Sequence, residues 1–149
     1  MGIRRLFADE RGNSFIEMAL VAPLLAVLLF GMVDISRAYS DDLLLEQVAQ
    51  RTVERIQQSG FEPSHKSTLE AEATAAAGAG SAADVAFVLE CNGATQSWTS
   101  TCTTGQAYAR YVAVSVTRPF TPMFGTKYFP GANDDGTVTL EGEAGIRIQ

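Results

Sequence analysis

The sequence predicts an α+β chain, a long N-terminal helix packed on a small antiparallel β-sheet. Three observations lead there. An apolar run of roughly 16 to 19 residues ends at Asp34; as a helix it would be about 24–28 Å long, just enough to cross a bilayer. Beyond it Leu45, Val48, Ala49, Thr52 and Ile56 fall at i, i+3, i+4, i+7 and i+11, one apolar stripe at helical spacing. Further on, three runs alternate apolar and polar residues with period two or are short and apolar, as strands do.

With 149 residues the chain has room for one modest domain. Its formal net charge of −6 argues against nucleic acid as the main partner, because phosphate binding needs clustered Lys and Arg. The hydrophobic residues, 46% of the chain, are unevenly spread. They crowd between Phe15 and Val33, where Glu17 is the single charge, whereas Ser40 to Arg55 is dense in Asp, Glu, Gln and Arg.

The elements follow in order. Residues 1–12 form a short basic leader with Arg4, Arg5 and Arg11, and residues 13–34 a transmembrane segment. Asp34, Asp41 and Asp42 follow, broken only by Arg37, so the positive-inside rule keeps the N-terminus in the cytoplasm and exports the rest. A cleaved secretory signal would want a shorter apolar core and a small-x-small site, and "FGMVDISRAYS" offers none. "RRLF" looks faintly like a twin-arginine signal, but Asp9, Glu10 and Glu17 precede the apolar core. A plain membrane anchor explains the length of the run and leaves Glu17 unexplained. A carboxylate inside such a run costs on the order of 2 kcal/mol or more, so it tends to be paired or functional. Pro23 lies in the membrane half; it removes a backbone donor and frees the carbonyl of Ala19, which predicts a kink or local unwinding.

Residues 35–58 read as the exported extension of the same helix, ending at Ser59–Gly60, and residues 59–149 as a small α+β exported domain. "SGFEPSHKST" is a connection with the single histidine, His65, on its surface, and Ser67 or Thr68 as cap of the next helix. "LEAEATAAAGAGSAAD" is helical at first and suits close packing against the long helix, with a low-complexity linker as the alternative. "DVAFVLE" is a short apolar strand. "YARYVAVSVTR" puts Val112, Val114 and Val116 on one face, and "TVTLEGEAGIRI" puts Val138, Leu140, Ala144, Ile146 and Ile148 inward.

Cys91 and Cys102 fit neither a redox C-x-x-C motif nor a zinc pair, and in an exported domain a disulfide is the better reading. The loop they bound, "CNGATQSWTSTC", is polar except for Trp98, which can anchor a partner or fold back on its own domain. "PFTPMFGTKYFPG" gathers Phe120, Phe124 and Tyr128, either for contact with a neighbouring subunit or to cover the end of the sheet. "GANDDGT" holds half of a calcium loop but lacks the other ligands, so a turn before the last strand is expected, with no metal. No nucleophile–base arrangement and no phosphate-cradling loop stands out; neither an enzyme nor a cofactor is expected.

Gly12, four intervening residues, Glu17 and an immediate apolar run resemble the cleavage site of type IV prepilins. The wider string "RGNSFIEMALVAPLLAVLLFGMVDISRAY" is similar to the TadE family of the tight-adherence (Flp) pilus system. The matching residues are Arg11, Gly12, Glu17, Ala19, Leu20, Val21, Pro23, Gly31, Asp34, Arg37 and Ala38, with Met18 where an aromatic residue usually follows the glutamate. The resemblance extends to the paired cysteines, "RYVAVSV" and "PFTPMF". It implies a minor pilin or pseudopilin with a pilin-like fold. A prepilin peptidase would cut after Gly12, leaving Asn13 as the new N-terminus and Glu17 as the fifth residue. The implied partners are other pilins, the peptidase and an inner-membrane assembly platform; surface adhesion and biofilm formation would follow. An unprocessed, membrane-anchored periplasmic scaffold or binding protein is the alternative.

Overall fold

The computed structural model describes residues 13–60, 62–123 and 131–148, with side chains from Phe15 onward. Helix α1 (Asn13–Ser59) is followed by a 3-10 turn at Pro63–His65, α2 (Lys66–Ala77), β1 (Ala82–Cys91), β2 (Ala94–Ser97), β3 (Tyr108–Phe120) and β4 (Val138–Arg147). The strands form one antiparallel sheet in the order β2-β1-β3-β4. Both helices pack on the same face, α1 over β3 and β4 and α2 over β1. This is the α+β arrangement expected from the residue pattern.

Helix α1 runs 47 residues without a break through Pro23, roughly 70 Å at the usual rise. It stops where Gly60 turns left-handed at φ +90°, a conformation that glycine adopts without a Cβ clash. Every member of the sequence stripe is buried, joined by Val53. Thr52, the polar member, donates its hydroxyl to the carbonyl of Val48 at 2.8 Å, so its burial leaves no orphan donor.

Helix α2 begins earlier than the capping signals suggest. Pro63 opens the 3-10 turn, which runs straight into the helix at Lys66, so Ser67 and Thr68 lie inside the first turn rather than capping it. Leu69, Ala73 and Ala77 form its buried stripe, and the two alanines allow a close approach. The alanine-rich segment is therefore helix and strand, not linker. Salt bridges from Lys66 to Glu70 and Asp84 tie α2 to β1. Glu70 also accepts the N–H of Val85 at 3.0 Å, satisfying an amide that β2 is too short to reach.

The register aligns the apolar rows. Val114 faces Val85 of β1 and Ala144 of β4, and Val112 faces Phe87 and Ile146. Val85, Val112, Val114 and Val116 meet Leu45, Val48, Ala49, Val53 and Ile56 of α1 and the stripe of α2 in one core. Gly142 is the point of closest approach. An added Cβ there would lie 2.2 Å from the Leu45 carbonyl carbon and 2.3 Å from the Glu46 nitrogen, so the α1 backbone rests directly on β4.

Three strand runs are legible in the sequence, and four strands form among the described residues. The additional strand, β2, lies within the cysteine-bounded loop. Asn92 and Gly93, at φ +49° and +83°, make a two-residue turn that pairs Cys91 with Ala94. Asn92–Gly93 is itself a hairpin signal, masked by the polarity of the residues after it. At the other end of the sheet, "GANDDGT" is the expected turn. Asp135 accepts the backbone N–H and the hydroxyl of Thr137, which holds its carboxyl below the usual carboxylate range.

Candidate functional site

Between Phe15 and Val33 most large apolar side chains of helix α1 are exposed. Phe15 is 81% exposed, Leu20 76% and Met32 70%, and large apolar side chains point outward all round. A helix apolar on every side belongs in an apolar environment. The α1 helix is long and apolar enough to cross a membrane, with a mean hydropathy of 2.4 over its most apolar stretch. Glu17 stands on this segment, one turn after the first helical residue, Asn13. Spaced i, i+4, the two positions share a face of the helix. Gly12 lies outside the described residues, as does the leader.

Where the helix meets the domain, a polar joint forms. Asp34 is 1% exposed, and both its carboxylate oxygens accept the backbone N–H of Met123, at 3.1 and 2.9 Å. Arg37, one turn on, reaches the same carboxylate at 3.5 Å and lays its guanidinium over the ring of Phe120, 5.6 Å from the centroid. One turn further, Asp41 pairs with Arg118 of β3, whose other amino group donates to the carbonyl of Ala77 at 2.9 Å and so closes the end of α2. Asp34, Arg37 and Asp41 therefore lock the emerging helix to the last residues of β3 and the segment after it. From sequence Asp34 looks like a flanking charge; its partner is 89 residues away, and no local signal announces it.

The disulfide between Cys91 and Cys102 forms, with a Cα–Cα separation of 5.6 Å. Trp98 folds back on the domain: its ring meets Phe87 edge-on at 5.3 Å, and the guanidinium of Arg110 lies 5.0 Å from its centroid. Phe120 is buried beneath Arg37, and His65 is exposed in its turn. Phe124 and Tyr128 lie outside the described residues. Among the described residues no group of three or more His, Cys, Asp or Glu side chains is placed to hold a metal ion.

No curated protein and no solved structure matches the chain. The family model described as TadE-like protein does match, over residues 12–53, which hold Glu17, Pro23, Asp34, Arg37 and most of the buried stripe of α1; over this segment the chain is similar to that family.

Proposed function

We propose that the chain is a minor pilin or pseudopilin of a tight-adherence (Flp) pilus, acting as a structural subunit rather than as an enzyme. The observation that carries this is the division of α1. Its first half is bare and apolar, its second half is clamped on the domain, and the TadE-like match covers the junction. Inserted with its N-terminus in the cytoplasm, the chain would be cut after Gly12 by a prepilin peptidase. The bare half would then leave the bilayer to pack among the helices of other pilins on the assembly platform, and the periplasmic domain would become pilus surface, supporting adhesion and biofilm formation.

Cleavage creates an ammonium at Asn13, one helical turn from Glu17. In low dielectric the two charges attract strongly, although desolvation offsets much of the gain. Their product is register: a subunit slides along its neighbours until the charges meet.

The mature N-terminus, read by mass spectrometry of protein extracted from its native membrane, tests this. A chain beginning at Asn13, with Gly12→Leu blocking the cut and Glu17→Leu blocking incorporation, is the expected result. An intact start would favour the anchored periplasmic scaffold, and a start beyond Asp34 would overturn both readings.

A further inference from the structure

Two arginines stand on the helix-facing side of β3, and they are treated differently. Arg118 has the Asp41 carboxylate and the Ala77 carbonyl. Arg110 has the face of Trp98 but no carboxylate within ion-pair distance among the described residues, and its Nε is buried without a hydrogen-bond partner. A buried guanidinium donor without an acceptor is costly, and native structures rarely leave one so. Arg110 lines an open cleft of about 340 Å³, within the range of small-molecule sites.

The remaining walls say what the cleft would accept. One is the loop from Ser100 to Gln106, whose hydroxyls come from Ser100, Thr101, Thr103 and Thr104. The loop is held in place: Cys102 is tied to Cys91, Gln106 donates its N–H to the Thr103 carbonyl at 3.0 Å, and its Oε1 accepts the Thr103 N–H at 3.1 Å. The half-exposed ring of Tyr108 and the buried Leu89 complete the lining. One guanidinium fork, a hydroxyl-bearing wall and an aromatic ring match a small polyol that carries one carboxylate. Arg110 is the single charged residue lining the cleft, and with the chain's acidic balance, −6, it is the local source of attraction for an anion.

We propose that this cleft binds a carboxylate-bearing sugar, with Arg110 forking the carboxylate and the threonine-rich loop taking the ring hydroxyls. The cleft belongs to the domain alone, so its binding stands whether or not the chain is a pilus subunit. The ligand can come from a free sugar acid or from a terminal unit of an acidic polysaccharide.

Trp98 is the chain's single tryptophan and stacks on Arg110, so its fluorescence reports on the cleft directly. The full chain in detergent micelles is titrated with glucuronate, a polyuronate oligosaccharide, glucose and inorganic phosphate. A saturable Trp98 response to glucuronate at millimolar concentration is expected, with none to glucose or phosphate. An equal or tighter response to the oligosaccharide would mark the polymer as the source; a response to the monosaccharide alone would mark the free acid. Arg110→Lys keeps the charge but loses the fork, and should bind at least roughly tenfold more weakly with circular dichroism unchanged. Thr104→Val, at the rim, should bind roughly threefold or more weakly and serves if Arg110→Lys fails to fold. Silence towards glucuronate, an equal response to glucose or phosphate, or full affinity in the folded variants would overturn the proposal.

Discussion

Replacing Gly142 with alanine should loosen the whole union of helix and sheet. The new Cβ would fall 2.2, 2.3 and 2.6 Å from three backbone atoms of Leu45 and Glu46, where ordinary contacts begin near 3.4 Å. No rotamer can relieve a clash with backbone, so α1 or β4 must withdraw by about 1 Å along the line of contact. Leu45, Val48 and Ala49 then lose close packing against Val114 and Val116 together. Overpacking of flexible cores costs about 1–3 kcal/mol, and a backbone obstacle belongs at or above the top of that range. About 3 kcal/mol would lower the melting temperature of a domain this size by roughly 10–15 °C. Thermal unfolding of the full chain in micelles, followed by Trp98 fluorescence, measures it. Gly145→Ala is the internal control: it lies on the same strand but the opposite face, its nearest contact would be 3.4 Å, and it should change stability by less than about 0.5 kcal/mol. Equal melting temperatures for the two variants would refute the close approach of α1 to β4.

Asp34→Ala should leave the Met123 N–H without its carboxylate partner in a part-buried joint, costing about 1–2 kcal/mol and speeding hydrogen exchange at that amide specifically; Asp34→Asn should retain most of its protection. Reducing the Cys91–Cys102 bridge, which closes a loop of sequence separation 11, should cost roughly 3 kcal/mol, and a thiol assay on unreduced protein should find no reactive cysteine. The Lys66 ammonium is held above its ordinary range, first by its hydrogen bond to Asp84. Its contribution is therefore full below the unfolded lysine value and fades as alkaline pH rises through the folded one, and Asp84→Asn should flatten that alkaline limb. The Asp135 turn runs the opposite way: the depressed carboxyl helps above the ordinary aspartate value, and that help disappears in acid.

Much of this architecture is written in periodicity. The α1 stripe and the alternation in β3 and β4 are single-element patterns that burial against one common core makes obligatory, so Leu45 through Ile56 and Val112, Val114 and Val116 fall where spacing puts them. What spacing does not carry is the identity of the facing atom. Alternation puts position 142 inward, yet nothing local says that a helix backbone will rest on it. The same holds for Arg118, whose partners come from two different helices, and for Asp34, whose acceptor role exists only once β3 brings Met123 alongside. In the candidate site, the bare apolar helix and Glu17 are legible because they depend on one segment. The joint at Asp34 is not, because its two sides are 89 residues apart; the cleft at Arg110 lies within residues 89–110, but it exists only once the disulfide folds that loop back beside β3.

The single continuous helix has a mechanical consequence. Tension applied to its bare end reaches the domain first at Asp34 and then passes along the axis to Ile56, about 33 Å farther on. Across that length the load is shared by the carboxylate grip on Met123, the Asp41–Arg118 pair and the buried stripe seated over Gly142. Fastenings distributed along the pulling direction strain in parallel rather than one after another, so the domain should hold to its helix until many of them yield together.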